Sequence, residues 1–148
     1  MTLFFLDVNV WLALSDGGHA HHAVVGEWMD SLPNDITLIF CRYTQLGLLC
    51  LLTNNVVMGD KTLTLGEAWA VYDRWLEDPR VEFYPEPRNV DAALRRATEP
   101  FAGKAASKWV GDCWLLAHAE AARARLVTFD QALRDVALKQ RNQAVIPG

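Results

Sequence analysis

Three aspartates stand where their neighbours ask for nothing polar. Asp7, with Asn9 two places on, interrupts the apolar run from Leu3 to Leu14, LFFLDVNVWLAL. Asp112 follows Trp109 by three positions and precedes Leu115 and Leu116 by three and four, so on a helix it shares their largely apolar face. Asp130 closes the run Leu126-Val127-Thr128-Phe129-Asp130. A carboxylate aimed into such a face must be paired, coordinated or next to a cleft, because burying it bare costs on the order of several kcal/mol. If the three converge, like-charge repulsion opposes them unless a cation lies among them. Hard oxygen donors with few nitrogen or sulfur partners favour Mg²⁺ or Mn²⁺ over zinc.

Each residue also has a structural alternative. Asp7 and Asp130 can cap the helices that follow them, Asn9 can serve as a turn or cap residue, and Asp112 can pair with Lys108. The histidines of Gly17-Gly18-His19-Ala20-His21-His22 have neither a cysteine partner nor a helix-borne HExxH, so a helix-start and surface role is expected rather than zinc. His118 falls off the Asp112 stripe. The six tryptophans are read as core or interface, with base stacking as the alternative, and Cys113 is read as packing.

These residues need a scaffold, and the chain supplies one by alternation. Short apolar runs suited to strands buried on both faces lie at Leu3 to Leu6, Ile36 to Phe40 and Leu126 to Phe129, with weaker ones at Val81 to Phe83 and Ala144 to Ile146. Helix-length segments fall near Ala20 to Ser31, Arg42 to Asn54, Thr64 to Glu77, Asn89 to Thr98, Trp109 to Ala124 and Gln131 to Lys139. The alternation predicts an α/β domain with helices on both sides of a mainly parallel sheet. Both Asp7 and Asp130 then follow strands, and the carboxyl ends of parallel strands are where ligands collect.

At 148 residues, 51% hydrophobic and 22% charged, one domain over residues 1–148 is expected. The net charge of −4 argues against a general nucleic-acid binder, but it is uneven: residues 1–60 carry −5 and residues 61–148 carry +1. Cys41, Cys50 and Cys113 form neither an even disulfide set nor a metal motif, and the opening run lacks the cationic start and cleavage site of an export signal. No apolar stretch reaches about 20 residues. A cytoplasmic protein with reduced thiols and no membrane contact is expected.

Four segments in order, Phe5-Leu6-Asp7-Val8-Asn9-Val10-Trp11-Leu12, Thr44-Gln45-Leu46-Gly47-Leu48-Leu49 with Leu52-Thr53-Asn54, Gly111-Asp112-Cys113-Trp114-Leu115-Leu116-Ala117 and Leu126-Val127-Thr128-Phe129-Asp130, carry a resemblance. The chain resembles PIN-domain ribonucleases of the VapC toxin type, with Glu67-Ala68-Trp69 and Asp78-Pro79-Arg80-Val81 adding to the match. The resemblance implies a three-layer α/β/α sandwich and a Mg²⁺- or Mn²⁺-dependent endoribonuclease neutralised by a cognate VapB-like antitoxin; a homodimer is also expected. It implies that Asp7 and Asp112 bind the metal and that Asp130 is an auxiliary acid. Gln45 and Asp130 would position waters, while Asn9 and Thr128 would fix the groups around the ion.

Two departures stand out. Gln45 occupies a place where such enzymes carry a glutamate, which removes one negative charge, and Cys50 stands where many carry an arginine. Gln45 therefore leaves open a PIN domain that binds RNA or a partner with weak catalysis or none. A different enzyme reading starts from Asp7-Val8-Asn9-Val10, which resembles the strand-end motif of aspartyl-phosphate phosphohydrolases but has Asn9 where those carry a second aspartate.

Overall fold

The computed structural model describes residues 2–140 and 142–148. Five strands, β1 (Thr2–Leu6), β2 (Ile36–Phe40), β3 (Val81–Phe83), β4 (Arg125–Val127) and β5 (Ala144–Val145), form one sheet in the order β3-β2-β1-β4-β5. Every pairing is parallel. The helices are α1 (Val8–Ser15), α2 (His22–Ser31), α3 (Arg42–Leu52), α4 (Asn55–Met58), α5 (Leu65–Leu76), α6 (Val90–Thr98), α7 (Val110–Ala122) and α8 (Gln131–Lys139).

Strand alternation decides which helices cover which face. Phe4, Leu6, Leu38, Phe40 and Val127 point to one side, where they pack with Val10 and Trp11 of α1, Val25 of α2, Leu48 and Leu52 of α3, and Tyr72 of α5. Trp11 stacks on Phe40 with ring centroids 3.8 Å apart. Phe5, Ile39 and Leu126 point to the other side, against Ala97 of α6, Leu116 of α7 and Leu133 of α8. The result is the three-layer sandwich.

The helix expected over Arg42 to Asn54 breaks near its end. Thr53 and Asn54 leave the helical path, and the Asn54 side chain caps a new short helix by accepting from Val56 N and Val57 N at 2.9 and 3.3 Å. Asn gives helix interiors little support and favours caps, so the break follows local chemistry. At Thr64 the reciprocal bonds with Glu67 start α5, and Arg80, paired with Asp78 at 3.1 Å, also donates to Met29 O and ties the start of β3 to α2.

One close approach sets the start of α1. A β-carbon on Gly47 would lie 2.5 Å from Val8 Cγ2 and 3.2 Å from its Cγ1, so α3 can press on the first residue of α1 only with glycine there. Gly47→Ala should therefore destabilise the protein by about 1–3 kcal/mol through overpacking, offset by at most about 1 kcal/mol of helix propensity. Urea unfolding checks this. An unchanged or raised midpoint would mean that the α1–α3 contact yields freely.

Candidate functional site

The strand order reverses direction between β1 and β4, since β2 and β3 lie to one side of β1 and β4 and β5 to the other. At such a point the connections leave the carboxyl edge in opposite directions and open a crevice. Register fixes what lines it. Leu6 pairs with Val127, so the next residues, Asp7 and Thr128, emerge side by side, and Asp7 N donates to Val127 O at 2.9 Å.

Thr128 Oγ1 donates to Asp7 Oδ2 at 3.0 Å and accepts from Asp130 N at 3.0 Å. With no exposed surface, Thr128 is fixed by both bonds, and it in turn fixes the Asp7 carboxylate. Burial raises the Asp7 carboxyl above its ordinary range; the bonds from Thr128 and from Val8 N oppose that, and the charge of Asp130 adds to it. Asp7 makes no capping bond to the later turns of α1, so the capping alternative does not account for it.

Asp112 enters from the first turn of α7. Burial, followed by the charges of Asp7 and Asp130, pushes its carboxyl up to about 6. The Lys108 alternative is not realised: Lys108 Nζ lies 6.0 Å from the centre of the Trp109 ring, and the ion pairs among the described residues do not include Asp112. Asp7, Asn9 and Asp112 share a cleft of about 560 Å³, walled by Tyr43, Leu46 and Leu115.

Asn9 is exposed in that cleft, and the bond that holds Asp7 comes from Thr128 rather than from it. Asp130 is the N-cap of α8, accepting from Leu133 N at 3.1 Å, and it is exposed. It acts on Asp7 and Asp112 through its charge, without lining their cleft. Among the described residues no three His, Cys, Asp or Glu side chains gather closely enough to hold an ion by themselves. The histidines near residue 20 serve structure: His22 bonds Ala13 O through Nδ1 at 2.7 Å, and His21 stacks on Phe129.

Gln45 is the main correction to the sequence-based expectation. It is buried on the core side of α3, its Oε1 accepts from Arg42 Nη1, and its amide bonds the Tyr72 phenol, while the cleft is lined by the neighbouring stripe of Tyr43, Leu46, Gly47 and Cys50. The physical reason is a ready pair of partners on α3 and α5, which satisfies the amide away from the carboxylates. Gln45→Glu would then set a carboxylate beside the Arg42 guanidinium. Mn²⁺ affinity measured by titration calorimetry should stay within about twofold of the parent. Tightening by tenfold or more would return position 45 to the site.

Tyr43 is the residue that the sequence reading does not single out. Burial, then the charges of Asp112 and Asp7, raise its phenol pKa, so it remains a neutral hydroxyl at physiological pH. A methyl on Gly111 would run into its Oη, so glycine beside Asp112 makes room for the phenol. Its place in the first turn of a helix entered from the carboxyl end of a buried strand was the available signal.

Comparison with known proteins adds to this geometry. A model of the PIN domain matches residues 4–139. Ribonuclease VapC41 of Mycobacterium tuberculosis is 38% identical over 139 residues, which cover 88% of this chain and 90% of that protein. Among solved structures, VapBC2 from Rickettsia felis, bound to a DNA fragment from their promoter, matches with a TM-score of 0.71 and 15% identity, covering 99% of this chain and 100% of that one. Mycobacterium tuberculosis VapC20, a sarcin-ricin loop cleaving toxin, matches with a TM-score of 0.63 and 18% identity, over 89% and 93% of the two chains. At these identities the solved structures speak for the fold.

Proposed function

The chain belongs to the PIN-domain family, and from that membership we propose that it is a ribonuclease toxin, one half of a toxin–antitoxin pair, built as a single domain over residues 1–148. The observation that carries the reading is a pair of carboxylates, Asp7 and Asp112, that share a cleft at the sheet's switch point and have no ion-pair partner among the described residues.

Two carboxylates fit a divalent ion of the Mg²⁺ or Mn²⁺ kind. Such ions take oxygen donors, and Mg²⁺ is commonly held by one or two carboxylates, with waters and substrate phosphate completing its shell, so a third protein acid is not required. When bound, the ion would supply Lewis acidity to phosphodiester hydrolysis. Asp7 and Asp112 would hold it, and Thr128 keeps Asp7 Oδ2 in one orientation. Asn9 offers an amide at the rim, and Asp130 adds negative potential from its cap. Asp7 and Asp112 are thus the catalytic acids of this reading, with Asp130 as the auxiliary acid acting through its charge and Asn9 and Thr128 in support.

RNA is the substrate, and a VapB-like antitoxin is the partner that silences the cleft of what we take to be a homodimer. Among the described residues no helix is long and apolar enough to cross a membrane, in keeping with a toxin that meets RNA in the cytoplasm. Purified protein incubated with RNA should cut it in Mg²⁺ or Mn²⁺, stop on chelation, and resume when the ion is restored. Cleavage that survives exhaustive chelation would remove the ion from the reading, and absence of cleavage in either ion would leave a binding domain.

A further inference from the structure

Across the first turn of α3 from the acidic cleft lies a second cavity of about 330 Å³, lined by Cys41 and Arg42, by Phe83 at the end of β3 and Glu86 beyond it, and by Trp114 and His118 of α7. We propose that this cavity takes one unpaired nucleobase of the RNA strand whose backbone occupies the acidic cleft. The proposal rests on the ribonuclease reading for the identity of its ligand.

His118 carries the argument. It has no exposed surface, it packs against Phe5 with ring centroids 4.7 Å apart, and neither of its ring nitrogens has a partner among the described residues. Trp114 Nε1, also facing no solvent, is unpartnered as well. A buried polar group without a bond costs about 1–3 kcal/mol, and the great majority of such groups in folded proteins are satisfied. Packing on Phe5 would be served as well by an apolar ring. His118 and Trp114 both line this cavity, so a ligand seated in it can supply the partner that their nitrogens lack among the described residues.

The walls specify what that is. Burial lowers the His118 pKa to about 4, so at neutral pH the ring is an uncharged donor and acceptor, matched by a neutral ligand with polar ring edges. Phe83 and Trp114 offer flat apolar surface, and stacking of a base on an aromatic side chain is worth about 1–3 kcal/mol. The two charged groups, Arg42 and Glu86, are both exposed residues, and the Arg42 guanidinium sits 4.8 Å from the centre of the Phe83 ring. Arg42 is therefore placed to meet a phosphate while the base lies inside.

Position relative to the acids completes the case. Arg42 lines the cavity and Tyr43 the cleft; Asp112 lines the cleft and Trp114 the cavity. The two spaces are flanked by nearby residues of the same two helices, so a strand held at Asp7 and Asp112 reaches the cavity by crossing the amino end of α3. A base seated there would make cleavage depend on the nucleotide next to the scissile phosphate.

The test uses the metal-free full chain, so that it does not depend on catalysis. The indole N–H resonances of the six tryptophans are followed by NMR as uridine 5′-monophosphate, adenosine 5′-monophosphate or inorganic phosphate is added, the Trp114 signal being the one missing from Trp114→Phe. That resonance should shift with at least one nucleotide and stay still with phosphate. His118→Phe should keep the fold and weaken nucleotide binding about tenfold, the loss of one or two neutral hydrogen bonds. A still Trp114 resonance, an equal shift with phosphate, or movement only on adding the antitoxin would each overturn the proposal, as would His118→Phe binding as tightly as the parent. Should His118→Phe fail to fold, Trp114→Phe decides, since it keeps an aromatic ring while removing the N–H donor and part of the stacking face: undiminished affinity by calorimetry sinks the idea. Nucleotide binding without RNA cleavage would refute the ribonuclease reading and leave the cavity standing, whereas cleavage without binding would do the reverse.

Discussion

Asp7→Asn and Asp112→Asn should each lower RNA cleavage by about a thousandfold or more, without unfolding the domain. Stabilising charge in the transition state with a bound ion is worth several kcal/mol, and about 1.4 kcal/mol is a factor of ten. Asparagine keeps the volume and one oxygen but removes the charge that holds the ion. Asp7 should be the more sensitive position, because Thr128 has fixed its carboxylate oxygen at 3.0 Å and the amide cannot reproduce that orientation with the same charge. Excess Mn²⁺ should restore part of the Asp112→Asn activity and less of the Asp7→Asn activity. Growth arrest on expression without antitoxin should disappear in the double variant. Arrest that persists there would separate toxicity from cleavage, and a variant that cuts within tenfold of the parent would remove that aspartate from the site.

Asp7, Thr128 and Asp112 were legible because local pattern determines where they go. A polar residue directly after a short, fully apolar strand must leave the sheet at its carboxyl edge, and the Leu6–Val127 register then brings two such residues together. Asp112 was readable from helical spacing alone, since its face is shared with Leu115 and Leu116. Gln45 was not legible in the same way. Whether its amide turns to the cleft or to Arg42 and Tyr72 depends on α5, whose Tyr72 lies 27 positions away in the chain, and no local periodicity reports that. Asp130 was left between two readings, and its geometry takes the capping one while its charge still reaches the acids. The cavity at His118 was hidden for a related reason: a histidine off the acidic stripe looks like core until Phe83, from a separate strand, is placed opposite it.

Metal-free protein should show the burial of Asp112 and its repulsion by Asp7 and Asp130 as a pH-dependent stability that Asp112→Asn removes. The folded pKa of Asp112, about 6, lies above the ordinary aspartate value of about 3.9. Between those values the folded chain keeps a proton that the unfolded chain has lost. This contribution is fully present below about pH 4 and disappears as pH rises through 6, so above pH 6 the charged carboxylate works against the fold. Asp112 is half-exposed, and screening by solvent reduces the effect to about 1–2 kcal/mol. Asparagine also forgoes the favourable placement of a negative charge in the first turn of α7, about 0.5 kcal/mol. The variant should thus melt about 2–4 °C above the parent at pH 7.5 without metal, a gain that shrinks towards zero near pH 4. Asp78, held low by Arg80, shifts both proteins in the opposite sense and cancels in the comparison. Saturating Mn²⁺ should reverse the order, because only the parent retains both carboxylates and binding to the folded state alone raises its stability. A difference between variant and parent that does not change with pH would mean that Asp112 carries an ordinary carboxylate pKa, and a parent that remains the less stable in Mn²⁺ would mean that the pair does not hold the ion.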